Sequence, residues 1–192
     1  KLQKYASLFG LNERTGIEIE EAAPQIANEF PVMAAIGQSN NNYTTVQLAR
    51  YVTAVANEGT VFQYTLLNRL EDSDGNVLQT FEPQVRNQID VLDTEEWNAI
   101  HSGMRMVVEN TKEFDGFPIE AAGKTGTAQQ NLKRPNHALF VGYAPYDDPE
   151  ISIATRIAYG YTSHNAAKLA RNVFAYYFNV ENEDELLNGQ AA

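Results

Sequence analysis

The sequence of 192 residues contains no cysteine, and its 14 lysines and arginines are outnumbered by 25 aspartates and glutamates. Without cysteine, neither disulfides nor thiolate metal sites can form. The net charge of -11 argues against a nucleic-acid-binding protein, because such proteins present a basic face to the phosphates. No run of 18 apolar residues is present, so no segment is predicted to span a membrane.

The residues that are present indicate a globular protein. Hydrophobic residues make up 43% of the chain and aromatic residues 10%, which is enough for one domain with a sizeable core. The three histidines, His101, His137 and His164, are too widely spaced to suggest a metal site, and we predict no metal or cofactor. The chain begins at Lys1 without a methionine or a signal peptide, so we expect it to be part of a longer protein.

Three segments have the periodicity of amphipathic helices. Residues 44–59 begin with Thr44 and Gln47 at capping-box spacing, and residues 93–110 begin with Asp93 and Glu96 in the same way. The third segment, residues 163–178, is predicted to be capped by Ser163. In the first segment Val46, Ala49, Val52 and Ala56 recur at helical intervals. The predicted buried faces of the other two are Trp97, Ile100, Met104, Val107 and Val108, and Ala166, Leu169, Ala170, Val173 and Tyr177.

Strand-like segments complete the chain. Residues 60–83 are predicted to form a hairpin with Asp74 and Gly75 in its turn. Three further strands are predicted at 119–129, 137–145 and 150–159, and their short connections favour antiparallel pairing. The predicted fold class is therefore α+β, an antiparallel sheet flanked by helices. We assign residues 1–180 to one domain and predict that the polar residues 181–192 form a disordered tail.

The stretch AAGKTGTAQQ allows two chemical interpretations. A phosphate loop requires a glycine five positions before the Gly-Lys pair, where Pro118 stands, and a helix after it, which the sequence does not predict. On a strand, Lys124 and Gly126 face one way and Thr125 and Thr127 the other. The glycine would let a ligand approach beside an ammonium group and two hydroxyls, as in an acyl-transfer site. The remaining alternative is an ordinary strand with a solvated lysine.

Several segments, taken in order, support the acyl-transfer interpretation: FGLNERTGIEI, AAIGQSNNNYTTVQLARYVTAVANEG, AGKTGTAQ, NHALFVGYAPYDDPEISIA and AAKLARNVFAYYF. Together they resemble the C-terminal half of a class B penicillin-binding protein transpeptidase domain, in the penicillin-binding protein and serine β-lactamase-like family. The resemblance extends to about Phe178. It departs from the family pattern at Ser39, where Gly-Gln-Gly is usual, at Val46, where proline is usual, and in the acidic IEIEEAAP segment.

The resemblance implies roles for particular residues. Lys124, Thr125 and Gly126 match the Lys-Thr-Gly motif, in which the lysine maintains the active-site electrostatics and proton network. Thr125 and Thr127 would bind the carboxylate of a peptide stem or a β-lactam, with Gly126 beside them. The backbone N–H of Thr127 would form half of an oxyanion hole. Gln129 would lie at the rim of the cleft.

The same resemblance implies a serine D,D-transpeptidase that cross-links peptidoglycan, without a cofactor. Its ligands would be stem peptides and β-lactams, and its partners other cell-wall synthesis proteins. The parent protein would lie on the extracytoplasmic face of the bacterial membrane, held by an N-terminal anchor. The alternatives are a sensor of the same fold that binds β-lactams or cell wall without turnover and, less favoured, a serine β-lactamase.

The nucleophile of this family is the serine of a Ser-x-x-Lys motif, whose lysine lies one helical turn away. None of the six serines in the sequence is followed three positions later by lysine. Ser39 and Ser163 each begin a Ser-x-Asn triplet like the family's second motif, but both stand in the wrong order along the chain. We therefore expect the nucleophile and the rest of the domain to precede Lys1, and the fold to be incomplete at its N-terminus.

Overall fold

The structure, a computed structural model, describes residues 1–182 and residue 186. The chain divides into two compact units, Lys1–Val91 and Leu92–Ala192. Most of the predicted tail, residues 183–185 and 187–192, lies outside the described residues, so its disorder stays a prediction. No helix in the described part of the chain is both long and apolar enough to cross a bilayer.

The first unit combines helices with two small antiparallel sheets. Strand β1 pairs with β4, and β2 pairs with β3. The elements are α1 (Leu2–Leu8), α2 (Pro31–Ala35), α3 (Thr45–Ala56), β1 (Thr60–Gln63), β2 (Arg69–Glu71), β3 (Val77–Thr80) and β4 (Gln84–Gln88). The predicted hairpin is thus confirmed for β2 and β3. In its turn, the Asp72 carboxylate accepts bonds from the N–H groups of Asp74 and Asn76, both at 2.9 Å, and Gly75 has a φ of 85°.

Helix α3 begins as predicted but buries a different face. Its capping box is present: Gln47 N–H donates to Thr44 Oγ1 at 3.2 Å, and Thr44 N–H donates to Gln47 Oε1 at 2.8 Å. Of the four apolar residues at helical spacing, Val52 is buried and Val46, Ala49 and Ala56 are half-buried. The residues that α3 buries are Gln47, Arg50, Val52, Ala54 and Val55.

Two of these buried residues are polar, and backbone carbonyl groups explain their position. Gln47 Nε2 donates to the carbonyl of Glu13 at 2.8 Å, and Arg50 Nη2 donates to the carbonyl of Gly10 at 2.5 Å. The interior of the first unit therefore contains two polar side chains that form hydrogen bonds with backbone carbonyl groups of the loop after α1. Hydrophobic periodicity alone gives no signal for such a cluster.

The second unit contains the three-stranded sheet. Its elements are α4 (Thr94–Glu109), a 3-10 turn η1 (Lys112–Phe114), β5 (Ala122–Ala128), β6 (His137–Ala144), β7 (Ile151–Ile157) and α5 (Ser163–Tyr177). The strands are antiparallel in the order β5-β6-β7, so the predicted α+β fold with an antiparallel sheet is confirmed. The predicted capping box of α4 is also present, with Asp93 and Glu96 bonded reciprocally at 2.9 and 3.0 Å.

Helix α5 packs on one face of this sheet through small side chains. Two details predicted for it were wrong. The residue that precedes the helix is Thr162 rather than Ser163, and no side chain caps the first turn. Leu169, Val173 and Tyr177 are between 37% and 46% exposed. The buried face consists instead of Ala166, Ala167, Ala170, Phe174 and Ala175.

Alanine explains this arrangement, because its short side chain lets a helix axis approach a sheet closely. Ala166, Ala167 and Ala170 of α5 pack with Ala138, Phe140 and Ala144 of β6 in one hydrophobic cluster. Larger residues on the same face would hold the helix away from the strand. Helix α4 likewise buries fewer residues than predicted: Trp97 and Val108 are buried, but Ile100 is 36% exposed.

Candidate active site

The Lys-Thr-Gly-Thr sequence lies on β5, at one edge of the three-stranded sheet. Within the described residues, β5 pairs with β6 only, and the pairing is regular from Ala122 to Ala128. Lys124 lies in the middle of the strand and not at the start of a helix, which excludes the phosphate loop. In an antiparallel edge strand, every second residue directs its N–H and C=O groups away from its partner. Strand β5 therefore directs backbone donors and acceptors outward along an edge that no strand of the described residues covers.

The side chains of β5 alternate as the sequence predicted. Lys124 and Gly126 oppose Val141 and Leu139 on β6, so they share one face of the sheet. Thr125 and Thr127 belong to the opposite face. Lys124 and Thr127 are exposed, and the Lys124 ammonium donates to the carbonyl of Thr125 at 2.8 Å. The ammonium group thus lies close to the strand backbone and remains accessible to a ligand.

Two glycines of β5 have different surroundings. A Cβ atom on Gly123 would lie 2.3 Å from Phe140 Cζ and 2.9 Å from the carbonyl oxygen of Val141, so the packing of the sheet requires this glycine. A Cβ atom on Gly126 would meet only Leu139 Cβ, at an ordinary contact distance of 3.4 Å. Gly126 also does not have the positive φ that would require glycine. The fold therefore explains the glycine at 123 but not the glycine at 126.

The loop between β5 and β6 contains the last of the predicted site residues. Gln129 follows β5 directly and is exposed, as expected for a rim position. Its neighbour Gln130 has a defined contact: Gln130 Oε1 lies 3.1 Å from His137 Nε2. The structure thus brings Lys124, Gly126 and the two threonines together on one strand. The role of each of these residues, and of Gln129, remains a prediction.

Sequence reasoning missed a group of residues around His137. The ring of this buried imidazole lies 4.9 Å from that of Tyr159 between centroids, tilted by 35°, and its Nδ1 accepts from the Tyr159 N–H at 3.1 Å. Nδ1 is therefore unprotonated, and Nε2 carries the proton that Gln130 accepts. Burial and then the charge of Arg156 lower the pKa of His137, which favours its neutral form. No spacing in the sequence signals this group, because its members come from β6, β7 and two loops.

A second buried aromatic residue lies near the start of β5. Tyr143 on β6 opposes Ala122 and is fully buried. The ring of His101 on α4 meets it edge to face at 5.8 Å. Its hydroxyl has no hydrogen-bond partner among the described residues. Burial, and secondarily Tyr146, raise its pKa above the usual range, so it remains a neutral phenol.

The described residues contain no group of three histidine, cysteine, aspartate or glutamate side chains that would hold a metal ion.

The serines of the two Ser-x-Asn triplets each have a place in the local structure. Ser39 Oγ donates to the Glu29 carbonyl at 2.5 Å, and Ser163 is the first residue of α5.

Comparison with known proteins shows the family. Residues 1–175 match the family described as the penicillin binding protein transpeptidase domain. The chain is 32% identical to the peptidoglycan D,D-transpeptidase MrdA of Haemophilus influenzae, with 93% of this chain and 33% of the relative covered. It is 27% identical to penicillin-binding protein 2A of Bacillus subtilis, with 95% of this chain and 29% of the relative covered. The chain therefore belongs to the penicillin-binding protein transpeptidase family, and the resemblance drawn from its sequence segments is confirmed.

Solved structures show the same fold. Penicillin-binding protein 2B from Streptococcus pneumoniae superposes with a TM-score of 0.79 at 24% identity, covering 93% of this chain and 32% of that one. Penicillin-binding protein A from M. tuberculosis, solved as an imipenem acyl-enzyme complex, superposes with a TM-score of 0.79 at 22% identity, covering 90% of this chain and 40% of that one. The chain spans about a third of the length of the curated relatives it matches.

Proposed function

We propose that this chain forms one side of the acyl-transfer site of a serine D,D-transpeptidase that binds penicillin and cross-links peptidoglycan stem peptides. The observation that carries the proposal is Gly126, which lies between two threonines in an exposed edge strand. Neither packing nor backbone conformation requires a glycine at this position. A missing side chain at such a position lets a ligand lie against the strand. The family membership of the chain points to a peptide or a β-lactam as that ligand.

Strand β5 would hold the ligand in the manner of an added strand. The free edge supplies backbone N–H and C=O groups to an extended peptide. The hydroxyls of Thr125 and Thr127 would bind the terminal carboxylate, and the exposed Lys124 would add its positive charge. The backbone N–H of Thr127 would donate to the oxygen that becomes negative as the tetrahedral intermediate forms. Gln129 would contact the ligand at the rim.

The nucleophilic serine would come from sequence that precedes this chain. Its oxygen would add to the carbonyl carbon of a D-Ala-D-Ala bond, and the C–N bond would break. The serine proton would pass to the departing D-alanine amine through the lysine one helical turn away. An amine of a second stem peptide would then attack the ester and release the serine. In this scheme residues 1–180 are the C-terminal part of the catalytic domain, and residues 181–192 are a tail outside it.

The setting follows from the same proposal. The parent protein would act on the extracytoplasmic face of the bacterial membrane, held there by a preceding anchor, beside other cell-wall synthesis proteins. One neighbour of the same fold belongs to a structure described as a peptidoglycan synthase complex; it superposes with a TM-score of 0.77 at 23% identity, covering 94% of this chain and 33% of that one. That description is compatible with such partners.

The test uses the longer protein that contains this chain. Incubation with a fluorescent penicillin should give one covalent adduct, and a D-Ala-D-Ala peptide with an amine acceptor should give a cross-linked product. Covalent binding without peptide turnover would favour the sensor of the same fold. Rapid hydrolysis of the penicillin would favour a β-lactamase. Absence of any adduct would refute the proposal.

A further inference from the structure

A cavity of about 210 Å³ lies in the second unit, between the end of α4, the turn η1 and the segment that leads into β5. Its floor is apolar. Val108 and Phe114 are buried, Phe117 and Ile119 are half-buried, and all four belong to or pack against the hydrophobic cluster that α5 forms with the sheet. An apolar cavity of about 150 Å³ can hold a benzene ring, so this one has room for a single ring or one long side chain.

The rim of the cavity carries three carboxylates and one guanidinium. Glu109, Asp115 and Glu120 are exposed, and Arg105 bridges two of them: its Nε lies 3.3 Å from Glu109 Oε1, and its Nη2 lies 3.1 Å from Glu120 Oε1. Asp115 forms no ion pair with any residue that the structure describes. Because one guanidinium cannot neutralise three carboxylates, the rim remains negative. We call this cavity, with its apolar floor and its carboxylate rim, the acidic pocket.

The surface around the acidic pocket has the same sign of charge. Residues 106–120 contain four acidic residues and one lysine, and residues 145–150 contain three acidic residues and no basic one. The two segments are neighbours, because the Tyr146 N–H donates to the Glu120 carbonyl at 2.8 Å. Residues 121–144 and 151–180 contain no aspartate or glutamate. Within residues 106–180, the negative charge is therefore concentrated around the pocket, and its field favours a cationic ligand.

One internal contact shows that the aromatic part of the pocket accommodates a guanidinium. The guanidinium carbon of Arg171, on α5, lies 5.1 Å from the centroid of the Phe117 ring, and the same side chain pairs with Glu181. A guanidinium has a flat, weakly hydrated face that packs on aromatic rings, and the N–H groups at its edge bind carboxylates. An arginine from another molecule would meet both kinds of partner in the acidic pocket, with the floor beneath it and the rim carboxylates around it.

The extent of the acidic surface indicates how large the ligand is. A single small cation could reach only the carboxylates of the rim, whereas Asp147, Asp148 and Glu150 continue the negative surface beyond it. A protein segment in which further basic residues flank the arginine would use both parts. Electrostatic complementarity of this kind gives specificity and fast association between proteins. An anionic peptide, the ligand proposed for β5, would be repelled here.

From these observations we propose that the acidic pocket is a docking site for a basic segment of a partner protein, which inserts one arginine side chain into it. The proposal goes beyond the proposed function, because the pocket contains no residue of β5 and takes a cation. The two sites are nevertheless connected through Arg105, whose Nη1 donates to the carbonyl of Ala121 at 3.2 Å, directly before β5. A partner bound in the pocket would therefore lie at the start of the strand that is proposed to hold the substrate.

The test measures equilibrium binding of capped pentapeptides to the longer protein that contains this chain. The probe has the sequence Lys-Ala-Arg-Ala-Lys, and in two matched peptides citrulline or lysine replaces the arginine. Citrulline keeps the shape of arginine without its charge, and lysine keeps the charge without the flat guanidinium. We expect the arginine peptide to bind roughly five- to tenfold more tightly than the citrulline peptide, the range for a charge-assisted contact that is partly exposed to water. It should also bind more tightly than the lysine peptide.

Three variants locate the site. Asp115→Asn and Glu109→Gln each remove one rim carboxylate and should reduce the ratio of arginine to citrulline binding towards one. Asp148→Asn is the matched control, because it makes the same change in net charge at an exposed residue that does not line the pocket. This variant should leave the ratio unchanged.

The outcomes distinguish a built pocket from a general attraction. A ratio near one in the unmodified protein would overturn the proposal, as would equal loss of the ratio in Asp115→Asn and Asp148→Asn. Equal binding of the lysine peptide would show that no guanidinium is recognised. Benzylammonium is a further probe: if its binding depends on Asp115 while the arginine and citrulline peptides bind equally, the occupant is a small cation and the protein assignment is wrong. Acylation by a fluorescent penicillin, measured on the same samples, tests the proposed function separately.

Discussion

Alanine substitutions at two glycines of β5, Gly123 and Gly126, should have opposite consequences. At Gly123 the new methyl group would lie 2.3 Å from Phe140 Cζ and 2.9 Å from a backbone oxygen. Overpacking of this kind costs about 1–3 kcal/mol, whereas replacing glycine by alanine gains about 0.4–1 kcal/mol through the unfolded state. We therefore expect Gly123→Ala to destabilise the protein by about 1–2 kcal/mol net.

At Gly126 an added methyl group would cause no steric overlap, because the nearest atom would be Leu139 Cβ at 3.4 Å. Gly126→Ala should therefore match or exceed the stability of the unmodified protein, by up to about 1 kcal/mol. Its effect should appear in function instead. The methyl group would occupy the space into which a peptide or a β-lactam is proposed to fit, and we expect acylation to slow by roughly tenfold or more, equivalent to at least about 1.4 kcal/mol.

Urea unfolding of the 192-residue chain measures the first effect. With a slope of about 2 kcal/mol per molar urea, the Gly123→Ala midpoint should fall by about 0.5–1 M. Stopped-flow acylation of the longer protein with a fluorescent penicillin measures the second effect. If Gly126→Ala acylates at the normal rate, the glycine is not there for a ligand, and the main support for the proposed site is lost. An unchanged midpoint for Gly123→Ala would refute the steric argument.

Three further predictions concern individual groups. Thr125→Val keeps the shape of the side chain but removes a hydroxyl proposed to bind a carboxylate, a contact of about 1.5–3 kcal/mol; acylation should fall by roughly 10- to 100-fold with unchanged stability, and equal rates would remove Thr125 from the site. Tyr143→Phe removes a buried hydroxyl that has no partner among the described residues and should stabilise the chain by about 1 kcal/mol in urea unfolding; a loss of stability would show that the hydroxyl is satisfied. The 192-residue chain alone should gain no mass with labelled penicillin; an adduct on any of its six serines would mean that the nucleophile had been misplaced.

Local signals in the sequence predicted much of the fold. The capping boxes at Thr44 and Asp93 depend on residues three positions apart, and both are present. The turn at Gly75 and the antiparallel order of β5, β6 and β7 follow equally from short-range rules. What these predictions share is that they depend on short-range features of the sequence, either residues a few positions apart or short connections between consecutive strands.

The buried faces of the helices were harder to predict, because they depend on what each helix meets. Arg50 can be buried because its guanidinium donates a hydrogen bond to the carbonyl of Gly10, 40 positions earlier in the chain. Leu169 is exposed since the neighbouring alanines of α5, and not the larger side chains, contact the sheet. Polarity predicts burial only as a tendency, and a distant carbonyl group or a close helix–sheet contact reverses it.

The candidate site also has features that local sequence rules predict and features that depend on distant residues. The placement of Lys124 and Gly126 on one face and of the threonines on the other required only the alternation of a strand. The group of residues around His137 could not be predicted, because it joins β6, β7 and two loops and depends on the positive φ of Tyr159. Nothing in the sequence around Tyr159 indicates that conformation, which usually belongs to glycine, asparagine or aspartate.

The free edge of β5 connects stability with the proposed chemistry. An edge strand can pair with a second molecule, and natural proteins discourage such pairing with lysine side chains and interrupted apolar surfaces. In the described residues the outer edge of β5 has no partner strand, and the exposed Lys124 lies in the middle of the strand. Its ammonium, bonded to the Thr125 carbonyl, disfavours a neutral apolar strand along this edge.

That arrangement does not disfavour every ligand. A short peptide that ends in a carboxylate gains an attractive interaction with the same ammonium, and it meets no side chain at Gly126. The features that protect the edge against aggregation thus select an anionic, chain-terminating ligand over an internal segment of another protein. Strand β5 can therefore stay unpaired in the folded chain and still accept the one kind of strand that the proposed reaction requires.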